Sequence, residues 1–192
     1  MARSKEFDEQ DVLQKAMRLF WEQGYEKTSL QDLVTHMGIH RRSLYDTFGD
    51  KHSLFVKAVE QYRKTTAAVK AEAKRGRTAK EAIRYMIDYL IEAGDDRPLG
   101  CLVVNSATEL ALRDPEVYEI ANQSFKSEAQ YLTDLIRTGQ QAGEIPGDKD
   151  ASLLAESLQT TIIGLRVLAR TTTDKKKLHR IADAAIALLN AP

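Results

Sequence analysis

Gly38 constrains this chain more than any other residue. It stands between two short apolar patterns of helical spacing, Leu30, Leu33, Val34 and Met37 before it and Leu44, Tyr45 and Phe48 after it. The second helix begins after only Ile39 and His40. Two helices joined that closely must cross steeply. The glycine can take the left-handed conformation that ends the first helix, and Ile39 can turn inward as the pin of the corner. The stretch from Thr28 to Phe55 is therefore the sequence form of a helix-turn-helix.

On the second of these helices, Leu44 and Phe48 lie four apart and share the buried face. At about 100° per residue the opposite side carries Arg42, Asp46 and Ser43, with Tyr45 on its flank and Arg41 in the first turn. Guanidiniums and a phenol near a helix N-terminus suit a recognition helix, where base edges are read and phosphates are held. An ordinary helical corner with a solvated polar face has the same spacing, and the spacing alone leaves both open.

Charge does not decide between them. Lysines and arginines number 28, as do aspartates and glutamates, so no global field draws the protein onto nucleic acid or membrane. DNA affinity must come from a local patch such as Arg41, Arg42 and Lys51. A single cysteine, Cys101, excludes an internal disulfide and a cysteine-based zinc site, and fits a reducing compartment. The start, MARSKEFDEQ, has no apolar signal region, and no apolar run approaches the roughly 20 residues that span a bilayer. These features predict a soluble, cytoplasmic protein with no membrane partner. His36 and His40 lie four apart, but Gly38 breaks the helix between them and no carboxylate completes a set, so no metal site is expected. No glycine-rich phosphate loop and no Ser/His/Asp set supports an enzyme, and no cofactor is expected.

Along the chain, a first helix is predicted from about Asp8 to Gln23, with Val12, Leu13, Ala16, Leu19 and Phe20 on one stripe and Gly24 as its stop. Thr28 and Ser29 offer hydroxyls at the next helix start, either as caps or beside a bound phosphate. Lys51 opens a fourth helix, where the dipole disfavours a cation; a phosphate contact explains it, and so does a plain surface lysine. The alanine-rich stretch from Arg63 to Arg77 reads as a solvated connector, and a second unit begins at Thr78. There Ala79, Ala82, Ile83, Met86, Ile87 and Leu90 make one face of a helix and Tyr85 and Tyr89 another, as in the interior of a bundle. Gly94, Asp95, Asp96 and Pro98 form a loop.

The segment Leu99 to Leu112 is the most apolar in the chain, yet Cys101, Asn105 and Glu109 align along it at i, i+4 and i+8. Buried polar groups need partners, and a ligand, a water or a neighbouring helix would each serve. Asp114 and Pro115 open a further helix as cap and first residue. Leu154, Leu158, Thr161, Leu165 and Leu168 then follow a heptad spacing, and Leu178, Ile181, Ala182, Ala185, Leu188 and Leu189 line a last helix. Such a seam can be buried within one subunit or against a second copy.

From Ala16 to Val59 the chain resembles the N-terminal domain of the tetracycline-repressor (TetR/AcrR) family of bacterial transcription regulators. The marks are Phe20, Gly24, Tyr25, Thr28, Leu33, Gly38, Leu44, Tyr45, Phe48, Lys51 and Leu54, in the order and spacing of that family. Residues beyond the sixties match it only in length and all-helical texture. The resemblance implies an all-α protein with an N-terminal three-helix helix-turn-helix domain, residues 1–50. A larger C-terminal helical ligand-binding and dimerisation domain follows, residues 51–192, connected through the helix from 51. It implies a homodimeric regulator, a repressor released from a double-stranded DNA operator by a small-molecule effector.

Carried over by position, DNA contacts fall on Thr28, Arg41, Arg42, Tyr45, Asp46 and Lys51. Tyr85, Tyr89, Cys101, Asn105 and Glu109 are the candidates for lining a ligand site. Two C-terminal helices per subunit would form a four-helix interface through Leu154, Leu158, Thr161, Leu165, Leu168, Leu178, Ile181 and Ala185, with Gly164 permitting close approach. Arg42 departs from the family where a small residue is common. Asp46 and Thr47 depart where an aromatic or histidine pair is common; Asp46 could accept from a cytosine amine or repel phosphate. The competing reading is a helix-turn-helix scaffold that binds another protein without specific DNA binding.

Overall fold

The computed structural model describes residues 7–94 and 97–190, so Asp95 and Asp96 of the expected loop lie outside the described residues. The described residues form nine α-helices and a closing 3-10 turn, with no strand. Helices α1 (Glu9–Gln23), α2 (Leu30–Met37), α3 (Arg41–Phe48) and α4 (Lys51–Ala73) come first. Helices α5 (Ala79–Ile91), α6 (Leu102–Leu110), α7 (Pro115–Gln141), α8 (Ala151–Leu168) and α9 (Lys175–Ala187) follow.

Local chemistry sets the boundaries. Asp8 caps α1 by accepting from the Gln10 and Asp11 amides, and Gly24 ends it at φ 85°. Ser29 and Asp32 form a reciprocal capping box on α2. Gly38 takes the left-handed conformation, φ 70° and ψ 32°, and its N–H returns to the Val34 carbonyl. Ile39 packs half-buried against the core beneath the corner, as its position predicts. Asp50 caps α4, Thr78 and Glu81 form a second capping box on α5, and Asp114 with Pro115 opens α7.

Two apolar cores hold these elements together. The first joins α1 to α3 with the first half of α4, and it is dense in rings: Phe20 meets Phe55 edge-on at 5.1 Å, and Trp21 meets Tyr62 edge-on at 4.8 Å. Such pairs add about 0.5–1.5 kcal/mol each beyond their buried area. Leu102, Val103, Val104 and Leu110 of α6 and Val117 and Ala121 of α7 also belong to it. Helix α6 is thus seated in the core of the N-terminal unit, although it lies well past it in sequence. The second core joins α5, the C-terminal part of α7, α8 and α9.

Helix α4 touches both cores, and its second half is solvated along one side, with Lys64, Thr65, Ala67, Ala68 and Ala71 exposed. Tyr62 and Ala73 are buried, and Thr66 and Lys70 between them face cavities.

The C-terminal seam also needs correction. Leu158, Leu165, Leu178 and Ala185 are buried inside the subunit, where they form the α8–α9 part of the second core. Leu154, Thr161, Leu168 and Ile181 are only half-buried. Outside them, Leu153, Val167 and Leu188 stand exposed. A Cβ placed on Gly164 would meet nothing within 4 Å. One face of each helix builds the subunit core, and the adjacent face is left apolar and open.

Candidate DNA-binding face and interior cavity

Leu44 and Phe48 anchor α3 in the first core, fully covered. That anchoring turns Arg41, Arg42, Tyr45 and Asp46 outward, all four exposed. The Arg41 guanidinium lies 5.8 Å from the Tyr45 ring centroid, with Nη2 3.5 Å from its hydroxyl. Arg42 Nε stands 3.6 Å from Asp46 Oδ2, and both side chains are largely in solvent. An exposed pair of this kind contributes at most about 1 kcal/mol and is readily exchanged for another partner. His40, the N-cap of α3, makes no side-chain cap, so the first-turn N–H groups of this helix stay free. Lys51, at the first turn of α4, holds its ammonium 4.2 Å from the Tyr25 ring centroid.

Thr28 does not join this face. It is completely buried, and its hydroxyl donates to the Gly24 carbonyl at 2.6 Å, closing the turn after α1. The exposed hydroxyl at the start of α2 belongs to Ser29, which is bound to Asp32. Those hydrogen bonds, from the Ser29 hydroxyl first and its amide second, hold the Asp32 carboxyl below its usual range. The N-terminus of α2 therefore already faces a carboxylate. Sequence alone could not say which of two adjacent hydroxyls turns inward.

Glu109 is corrected likewise. Its carboxylate accepts from the Tyr25 amide at 3.0 Å and the Glu26 amide at 2.8 Å, so it fastens α6 to the turn after α1. A Cβ on Gly24 would come within 2.9 Å of Glu109 Oε2, which is why this approach needs glycine. A second tie lies nearby: His52 on α4 meets Asp114, the cap of α7, at 2.7 Å. Burial tends to raise the Asp114 carboxyl, but hydrogen bonds from the Val117 amide and from His52 outweigh it and hold it low.

Behind these ties lie two cavities, an outer and an inner lobe, that share four wall residues. The outer lobe, about 470 Å³, opens between α4, α7 and α8 and includes Cys101 and Phe125 in its wall. The inner lobe, about 290 Å³, lies between α1, α4 and α5 and includes Trp21, Met86 and Tyr89. Tyr62, Thr66, Lys70 and Arg166 line both. Arg166 is held by Glu128 through two hydrogen bonds, of 2.8 and 2.6 Å.

Of the five predicted ligand residues, Tyr89 and Cys101 reach these cavities. Tyr85 lies under the Arg77 guanidinium at 4.2 Å and borders only shallow outer grooves. Asn105 lines neither lobe. Glu128, Arg166, Lys70 and Trp21 escaped the sequence reading. A signal was present for Glu128, which falls on the apolar row Val117, Ala121, Phe125, Leu132, where a carboxylate has no reason to be unless paired.

Comparison with known proteins supplies the lineage. Residues 12–58 match the family model described as bacterial regulatory proteins of the tetR family, and residues 79–185 match a tetracyclin repressor-like C-terminal domain. The chain belongs to the TetR family. Its TetR-family relatives include the HTH-type transcriptional regulator YezE of Bacillus subtilis, 40% identical over 99% of this chain and 100% of YezE. The HTH-type transcriptional repressor ComR of Escherichia coli is 33% identical over 97% of this chain and 90% of its own. Among solved structures, the TetR family regulator CifR, a cysteine mutant complexed with a 26 bp double-strand operator DNA, superposes with a TM-score of 0.88. It is 27% identical, over 97% of this chain and 98% of CifR.

This TetR-family chain is thus a DNA-binding transcriptional regulator of helix-turn-helix type, and its relatives are named as regulators rather than enzymes. No helix among the described residues is long and apolar enough to cross a membrane.

Proposed function

We propose that the protein is a homodimeric cytoplasmic repressor, without enzymatic activity, that leaves its operator when a small molecule fills these cavities. The observation that carries the reading is the division of α3. Leu44 and Phe48 are wholly committed to the core, and Arg41, Arg42, Tyr45 and Asp46 are wholly free of it. In the major groove, Arg42 and Arg41 would reach guanine edges or phosphates, Tyr45 a thymine methyl or a phosphate, and Asp46 a cytosine amine. Lys51 would hold a flanking phosphate from the start of α4.

A second copy is called for by geometry. The exposed apolar residues Leu153, Val167 and Leu188 beside α8 and α9 would meet their counterparts across a two-fold axis, with the open Gly164 permitting close approach. Such a dimer must carry its α3 helices about 34–36 Å apart to enter successive major grooves.

Coupling follows from the inner lobe, whose wall includes α1 itself, and from the ties at Glu109 and His52. A ligand that spreads α1 from α5 alters the seating of α6 and with it the angle of the helix-turn-helix. By linkage, DNA and ligand then weaken each other's binding by the same factor.

The test is a gel-shift titration with the DNA flanking the coding region. Tyr45→Ala and Arg42→Ala, both at exposed positions, lower operator affinity by about tenfold or more without altering the melting temperature. Unchanged affinity in both variants would refute this docking.

A further inference from the structure

The cavity walls carry an imbalance of charge that points to the class of effector. Four cations reach the inner lobe, from α1, α4, α8 and the segment before α6, and three of them are occupied; Arg18 pairs with Glu22 at 3.0 Å. Arg166 is bound through both terminal nitrogens to Glu128, and Arg97 lies 3.8 Å over the Tyr89 ring and donates to the Tyr89 carbonyl. The fourth, Lys70, lines both cavities, and among the described residues its ammonium has no ion pair or hydrogen bond. Its recorded neighbour is the Tyr131 ring, 5.5 Å from the ammonium. Burial pulls the Lys70 pKa down and the nearby Arg166 charge adds to this, while the charge of Glu128, already bound to Arg166, opposes it.

A second and independent observation lies across the same lobe. Trp21 is 6% exposed, and its indole Nε1 is a buried donor without an acceptor. Unmatched buried donors are uncommon, and this one has almost no surface of its own open to the lobe, so an occupant would reach it only if the indole turned. Gln14, Thr65 and Thr66 add polar wall, while Met17, Val69, Met86, Leu90 and Pro98 join the Trp21 and Tyr62 rings as its apolar part.

We infer that the effector is an amphipathic organic monoanion, a carboxylate on a hydrophobic body, with its acid held by Lys70 and its body against Trp21, Tyr62 and Met86. This names the ligand of the regulatory site and so rests on the regulatory reading above. A cationic ligand would face Lys70 with the one buried carboxylate already engaged. A dianion such as a phosphate monoester would bring two charges to one unanswered ammonium. A neutral apolar ligand would leave Lys70 unmatched. Because Trp21 belongs to α1, such a ligand touches the DNA-binding unit directly.

Trp21 is the only tryptophan in the chain, so its fluorescence reports on this lobe alone. The full-length protein, free of DNA, is titrated with phenylbutyrate and with its neutral analogue phenylbutyramide. Phenylbutyrate is expected to change Trp21 emission saturably and to bind at least about tenfold more tightly than the amide. Lys70→Met is expected to bring the two within about twofold, and Lys70→Arg to retain the preference for the acid. Equal binding of acid and amide, a preference that survives Lys70→Met, or no saturable response would each overturn the inference. Operator binding by the same variants without probe is the control for folding. It also separates the two claims, because a protein that binds operator but ignores the acid keeps the regulator assignment and loses this one.

Discussion

Glu128 and Arg166 face each other between α7 and α8, their side chains 5% and 15% exposed. Burial acts to raise the Glu128 carboxyl, but the charge and hydrogen bonds of Arg166 outweigh it and hold the carboxyl below its usual range. Removing one partner of such a pair costs about 3–5 kcal/mol, because the other charge is left dry and alone. Glu128→Gln is therefore expected to destabilise the protein by about that amount near neutral pH. The sign of the pH dependence follows from the lowered folded-state pKa. The carboxylate's contribution is complete above the ordinary glutamate value of 4.5 and is lost as pH falls from there through the folded-state value. Urea unfolding at a series of pH values should show the gap between wild type and Glu128→Gln widest at neutrality and closing in acid. A gap independent of pH would mean that packing, rather than charge, holds the two helices there.

At the scale of the element, helix positions were legible because caps and stops are local: Asp8, Ser29 and Asp114 each sit where the hydroxyl or carboxylate pattern puts them, and the structure adds Asp50 and Thr78. The steep corner at Gly38 was legible for the same reason. What a helix faces was not. The row Leu154, Leu158, Thr161, Leu165, Leu168 follows a seam, but a seam does not say whether its partner lies in the same subunit or in a second one. The α8–α9 contact buries Leu158 and Leu165 internally and leaves Val167 and Gly164 outside. Glu109 was misread as a ligand because its partners are backbone amides more than eighty residues away, which no spacing rule can place. The outer face yields a prediction of its own. Val167→Asp and Leu153→Asp put charge on that outer surface without entering the subunit core, since both sites are exposed. Sedimentation should show monomers with unchanged helical content, and operator affinity should fall with them. Dimers persisting in both variants would place the interface elsewhere.

For the whole molecule, 28 cationic side chains are balanced by 28 anionic ones, so the protein approaches DNA without a net field. Salt dependence then measures only the contacts made at the interface. If Arg41, Arg42 and Lys51 of each subunit all rest on phosphates, a dimer displaces counterions from six of them. The slope of log affinity against log salt should be about −5. Lys51 is the most telling of the three, because its position over Tyr25 beside the capped start of α4 points to a phosphate rather than a base edge. Lys51→Gln should lower affinity about equally for all DNA sequences and flatten the slope by roughly 2 for the dimer. Arg42→Gln, if Arg42 reads a guanine, should relax sequence preference with a smaller change in slope. The two variants thus separate holding from reading. A slope near zero in the wild type would instead mean an apolar association, that of a helix-turn-helix scaffold binding another protein.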